Sequence, residues 1–340
     1  MSTESLFEEQ KRREKLEKLG DPLKKLSELI DFEIYRKDLE KMYHAGKEKG
    51  GRPPYDPVKM FRILIIQRLY GLSDAQTEFQ INDRRSFQKF IGVSEYESLP
   101  DEKTIWVFRE RIKESGLDKV LFSKLLYWIR KLGFSLNEGM IVDATITAVP
   151  IQRNTKEENE TIKKDMIPEG WDEEENMRKT AQKDMDARWT KKHGKSYYGY
   201  KNHIAADRKT KIIRDFEVTD ASVHDSQMYE ELLQAAEKDE TVFGDSAYSA
   251  EDLKKKTEKH SSFPLMCRKG CRNRTLTEIE KQWNRILSKV RSRVEHIFAD
   301  IKSFGAGRIR TVGMERARVQ IALANIVYNM RRVSFLLRSK

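Results

Sequence analysis

Three carboxylates stand apart by their surroundings: Asp143, Asp245 and Glu295. Asp143 follows Met140-Ile141-Val142 inside an apolar, alternating run that continues to Val149. A carboxylate there is costly unless it is paired, hydrogen-bonded or bound to a cation. Asp245 follows Gly244 at the end of the short run Thr241-Val242-Phe243. Acids just beyond strand ends line many active sites, although a simple turn residue has the same appearance. Glu295 lies in a helical stretch whose buried stripe is Val290, Val294, Ile297, Phe298 and Ile301. Arg291 and Lys302 fall near its face. The trio reads either as a surface ion-pair ladder worth about 0.3 kcal/mol per pair or as one metal-binding acid between two phosphate-binding cations. Three acids brought together from two strands and a helix would repel one another without a cation. An all-oxygen site selects magnesium or manganese. Two such ions about 4 Å apart suit in-line phosphoryl transfer, one at the attacking oxygen and one at the leaving oxygen.

Other chemistry is less well supported. Cys267 and Cys271, with His260 nearby, are too few and too loosely spaced for a zinc site. They cannot build a disulfide framework, and are read as incidental thiols. No phosphate-binding glycine-lysine loop is present, so no nucleoside triphosphate is implied. The five tryptophans are scattered and read mainly as core or interface residues.

The elements that must position the acids follow from punctuation and periodicity. Asp21-Pro22, Pro57, Ser73 and Pro100-Asp101 open helices, and Gly71, Gly92 and Gly116 close them. Residues 1–50 read as a helical arm broken near Gly50-Gly51, and residues 51–132 as a helical, helix-turn-helix-like DNA-binding domain. From residue 133 the pattern changes to a strand around Asp143, a charged excursion over 153–192, a hairpin from Tyr197 to Asp220, a helix over 226–238, a short strand before Asp245 and two long terminal helices. That is an α/β catalytic region over 133–340, a mixed sheet flanked by helices.

Charge points to the partner. The chain of 340 residues has 66 Lys and Arg against 55 Asp and Glu, a net charge of +11. All of that surplus falls within residues 281–340, which suits either a solvated helical face or a phosphate-binding one. No run of about 18 apolar residues marks a membrane span, and the polar, acidic N-terminus lacks a signal core. A soluble, cytoplasmic, nucleoid-associated protein is expected.

The motifs VDAT at Asp143, GDSAY at Asp245 and R-x3-E-x6-K from Arg291 through Glu295 to Lys302 resemble those of the acidic-triad (DDE) transposases of bacterial insertion sequences, of the insertion-sequence-five family within the insertion-sequence-four-like group. RPPYDPVKMFRILIIQRLYGLSDAQTEFQINDRRSFQKFIG, LPDEKTIWVFRERI, DARWTKKHGKSYYGYKNHIAAD and DASVHDS carry the likeness over about residues 52–332. One position departs: the family signature has Tyr three residues before the Arg, and here Ser288 stands there. The resemblance implies an RNase H-like fold in which Asp143, Asp245 and Glu295 are both catalytic and metal-binding. It implies two Mg2+ ions, with Mn2+ as substitute, and double-stranded DNA (terminal inverted repeats and target) as partner. A homodimer or higher oligomer would join two element ends. Arg291 and Lys302 would hold phosphates, with Lys201, His203, Arg308 and Arg310 as further DNA contacts. His224 is expected to order the turn before a helix, and Tyr248 to pack beside Asp245. Two alternatives stay open: a catalytically silent DNA-binding remnant, and another RNase H-like nuclease. Removal of residues 1–130 is expected to cost end recognition more than metal binding.

Overall fold

The computed structural model describes residues 18–43, 53–94, 97–192, 194–270 and 274–338, with isolated positions between 8 and 15. The glycine pair at 50–51 and Cys271 lie outside the described residues.

The N-terminal region is helical: α1 (Pro22–Leu29), α2 (Arg36–Lys41), α3 (Pro57–Tyr70), α4 (Asp74–Asp83), α5 (Arg85–Ile91), α6 (Glu102–Glu114) and α7 (Asp118–Lys131). The punctuation works as its chemistry dictates. Asp21 and Asp56 accept first-turn amides ahead of a proline, and Ser73 with Gln76 forms a reciprocal capping box. Gly71 and Gly92 end α3 and α5 in the left-handed conformation.

The sheet follows: β1 (Met140–Ala148), β2 (Arg188–Lys192), β3 (Lys195–Asp207), β4 (Ile213–Asp220), β5 (Thr241–Gly244) and β6 (Phe263–Met266). β3 pairs antiparallel with β1, β2 and β4, whereas β5 pairs parallel with β1, and β6 with β5. The order β4-β3-β1-β5-β6, three antiparallel strands then two parallel ones, is the RNase H-like sheet that the resemblance implies. α10 (Tyr229–Leu233) and α11 (Glu251–Lys259) lie in the two crossovers. The helix expected over 226–238 is shorter than its pattern suggested: a 3-10 turn over Asp225–Met228 leads into α10. The charged excursion holds two short helices, α8 (Lys156–Lys163) and α9 (Met177–Thr180), and then β2. β2 was hidden because its sequence, RWTKK, lacks a clean apolar alternation; hydrogen bonding to β3 makes it a strand. Gly199 permits the close approach of β3 to β1. Its φ is +151°, and a Cβ there would sit 2.3 Å from the Thr147 carbonyl oxygen.

Two long helices complete the fold, α12 (Glu278–Ser303) and α13 (Met314–Arg338). α13 is buried nearly all round from Ile321 to Met330, as befits a helix packed on every side. It touches α1, α3, α6 and α7 in the N-terminal region and β3 and β4 in the sheet. Its two buried polar residues are satisfied. Asn325 exchanges hydrogen bonds with Asn202 at 2.9 and 3.2 Å. Asn329 bridges the amide and carbonyl of Ile213 at 2.9 and 2.8 Å, beside the β-bulge of β3 and β4.

Candidate active site

Sheet register puts two of the three acids side by side. Met140 pairs with Val242 and Ile141 with Phe243. Two residues further along these parallel strands stand Asp143 and Asp245, on one face because side chains alternate with period two. The charge of Asp245 acts on Asp143. Asp143 is 8% exposed. Its Oδ1 accepts the Ala144 amide at 2.8 Å, and its Oδ2 faces the Arg291 guanidinium at 3.5 Å. Burial and the charge of Asp245 raise its pKa, against the pull of Arg291 and Lys192. Asp245 caps the following turn, its Oδ1 accepting the Ala247 amide at 2.7 Å. The turn reading of Asp245 and its site reading are thus compatible, since Oδ2 has no such bond.

α12 crosses this face and supplies Arg291, whose pKa rises on the two aspartates although burial opposes it. The Cys267 thiol lies against the same guanidinium. Glu295 is exposed one turn further along α12. Its carboxylate is not brought into the pair: among the described residues no three His, Cys, Asp or Glu side chains are grouped closely enough to hold a metal ion. Lys302 is packed against Gly307, where a Cβ would meet its Cγ at 2.9 Å. Burial and Lys192 lower its pKa. Arg308 and Arg310 are exposed on the segment that prolongs β1 through the Ala148–Arg308 bridge, with no acidic partner among the described residues.

Two expected DNA contacts face inward. His203 is fully buried, with Nε2 2.9 Å from Thr219 Oγ1, and burial lowers its pKa to about 4. Lys201 is held by Asp225 at 2.8 Å and by the Val223 carbonyl at 2.5 Å. Both point to the sheet face opposite Asp143, because Ala144, not Asp143, is the partner of His203. Neither presents a donor to DNA here. His224 does order its turn, with Nδ1 2.7 Å from Ser226 Oγ and accepting the Ser226 amide, and so caps the element.

Tyr248 packs as expected, its ring 5.5 Å from that of Tyr229. Its buried hydroxyl has no hydrogen-bond partner among the described residues. Burial, then Asp143, Asp225 and Asp245, push its pKa well up, so it stays a neutral donor. Lys192, whose charge reaches Asp143, is a neighbour of the site that sequence reasoning missed. It lies in β2, the strand without a clean apolar alternation.

An RNase H-like sheet with one aspartate within β1 and another just past the adjacent parallel strand β5, crossed by an arginine-bearing helix, defines the class. Residues 135–330 match the transposase DDE domain, and the chain belongs to that family. Residues 11–111 match a second transposase domain (DUF772). Among solved structures, the chain is similar to a piggyBac transposase synaptic complex with hairpin DNA (TM-score 0.48, 11% identity, 94% of this chain and 76% of that one). It is also similar to the Mos1 strand transfer complex (TM-score 0.22, 10% identity, 80% and 85% covered).

Proposed function

We propose that the chain is a transposase of the insertion-sequence-five type, within the insertion-sequence-four-like group. It binds element ends, cleaves them and joins the 3′-hydroxyl to target DNA. The observation that carries this reading is the buried Asp143 on β1 beside the half-buried Asp245, just past the parallel strand β5, with Arg291 over the pair. Two adjacent carboxylates, one buried with a raised pKa and one half-buried, form an oxygen donor set that a divalent cation would relieve. With Glu295, which stands apart from the pair in this conformation, brought in as third ligand, they would hold Mg2+ or Mn2+, two ions in the full site, which would supply activation of the attacking oxygen and stabilisation of the leaving one.

The chain's own groups do the rest. Backbone amides of Ala144 and Ala247 fix the two carboxylates in orientation. Arg291 balances Asp143 before DNA arrives and then offers its guanidinium to a phosphate oxygen. Lys302, Lys192, Arg308 and Arg310 edge the site with positive charge. Water attacks phosphorus at the element end, the P–O3′ bond breaks, and a 3′-hydroxyl is freed. That hydroxyl attacks a target phosphodiester and displaces its 3′-oxygen. One ester replaces another, so no triphosphate is consumed. The working organisation is an arm over 1–50, a DNA-binding domain over 51–132 and a catalytic region over 133–340 with the insertion 153–192. Two or more copies act on double-stranded DNA in the nucleoid.

The test incubates purified protein and linear DNA carrying the flanking terminal repeats of its own locus with Mg2+ or Mn2+, then maps the cut strands. Metal-dependent nicking at the element end followed by joining is expected. Asp143→Asn, Asp245→Asn and Glu295→Gln should each abolish it and keep DNA binding. Tight end binding without cutting under either metal overturns the catalytic reading in favour of a binding remnant. A preference for branched over linear DNA points instead to another RNase H-like nuclease.

A further inference from the structure

A second cationic site lies on the far side of α12. A groove of about 490 Å3 opens where α1, α12, α13 and the β3–β4 turn meet. Lys211, His296, Arg331, Arg332 and Arg338 line it, and its one acid, Asp300, is engaged by Arg331 at 2.7 Å. Among the described residues, four basic side chains therefore face the groove without a carboxylate of their own there.

The arrangement is built. Lys211 occupies the left-handed region, φ +60°, an uncommon conformation for a side-chain-bearing residue. It is fastened by the Tyr328 hydroxyl, which donates to its carbonyl at 2.7 Å. Arg332 anchors its Nε on the Thr210 carbonyl at 2.6 Å, which leaves the outer edge of its guanidinium for a ligand. The Lys211 ammonium lies 3.2 Å from His296 Nδ1. Burial, Arg332 and Arg293 all disfavour its charge. Such crowding of like charges is relieved by an anion, and guanidinium with ammonium suits a phosphate diester.

We infer that this groove binds the sugar–phosphate backbone of duplex DNA, at a segment other than the one being cut. The inference rests on the transposase reading above. His296 is five residues beyond Arg291, hence about 140° around the helix, so the groove faces away from Asp143. Its donors meet phosphates and carry no base-reading pattern, so binding there is indifferent to sequence.

The test measures binding of the full chain to a random-sequence duplex by fluorescence anisotropy over a range of salt. Lys211→Gln with Arg338→Gln removes two charges that make no ion pair among the described residues. Lys255→Gln with Lys259→Gln, exposed on α11, removes two elsewhere. The groove variant should bind about tenfold more weakly near physiological salt, with a log–log salt slope shallower by about 2. Its melting temperature and the control's affinity should not move. Equal slopes for both variants overturn the groove alone. Intact DNA binding by the groove variant, with lost binding to phosphatidylserine vesicles, overturns it in favour of a membrane surface. A wild-type chain that binds no duplex overturns the groove and the transposase reading together.

Discussion

Asp143 carries opposing demands: burial and Asp245 disfavour its charge, and Arg291 and an amide favour it. Its folded pKa is raised, so the folded chain keeps that proton longer than the unfolded chain does. The associated stability is present below the ordinary value of 3.8 and is lost as pH climbs through the raised one. Asp143→Asn should therefore raise the melting temperature of the metal-free protein at neutral pH, and the gain should vanish as pH falls toward 3.8. Added Mg2+ should stabilise the wild type more than the variant. A variant that melts lower at neutral pH would show Arg291 to be the dominant influence. Tyr248 is the other residue whose chemistry is unspent. Tyr248→Phe keeps the ring and loses a hydroxyl that has no partner, so stability should change by less than about 0.5 kcal/mol. A hydrogen bond formed to a charged group only in the reacting complex is worth about 1.5–3 kcal/mol, and cleavage should slow roughly tenfold or more. Unchanged cleavage would make Tyr248 a packing residue only.

At the scale of elements, the aspartates meet because β1 is correctly joined to β5 at its start. Glu240 enforces that junction. Its carboxylate accepts Arg214 of β4 at 2.7 and 2.8 Å and the Gly139 and Glu237 amides at 3.1 and 2.8 Å. Arg214 and Glu240 side chains are each 1% exposed. Removing one partner of a buried pair strands the other charge, at a cost of about 3–5 kcal/mol. Glu240→Ala should lose that much in urea denaturation, with cleavage failing alongside. A loss below about 1 kcal/mol would mean that water reaches Arg214 on mutation. Gly199→Ala tests the neighbouring seam: a methyl driven into the Thr147 carbonyl should destabilise the chain by about 1–3 kcal/mol.

Across the whole molecule, α13 decides how separable the halves are. The proposed boundary at 132/133 falls between α7 and β1, yet one hydrophobic core includes Phe61, Ile105 and Leu125 from the helices, Ile204 and Phe216 from the sheet, and Leu323 and Val327 of α13. Deletion of residues 1–130 would expose the face of α13 that packs on α3, α6 and α7. The fragment should aggregate instead of keeping metal binding and losing only end recognition; a soluble fragment with a cooperative melt would refute this. Recognition is better tested by surface substitutions in the intact chain. If it neutralises about six phosphates, log K should fall against log[salt] with a slope of about −5, and a flat response would contradict basic docking faces. No described helix is long and apolar enough to cross a membrane.

Helix ends were readable in the sequence because capping is local: Asp21, Asp56 and Ser73 act on amides two or three residues away. The strand around Asp143 was equally readable, since period-two patterning and a misplaced carboxylate both lie within nine residues. What tertiary structure alone decided was non-local. β2 exists by pairing to β3. His203 and Lys201 turn inward because strand register assigns their face. Asn202, remote in sequence from Asn325, meets it only once α13 is laid on the sheet. The same docking gathers Lys211 and Arg332 into one groove. Composition locates positive charge along a chain; only packing in three dimensions decides which cations share a surface.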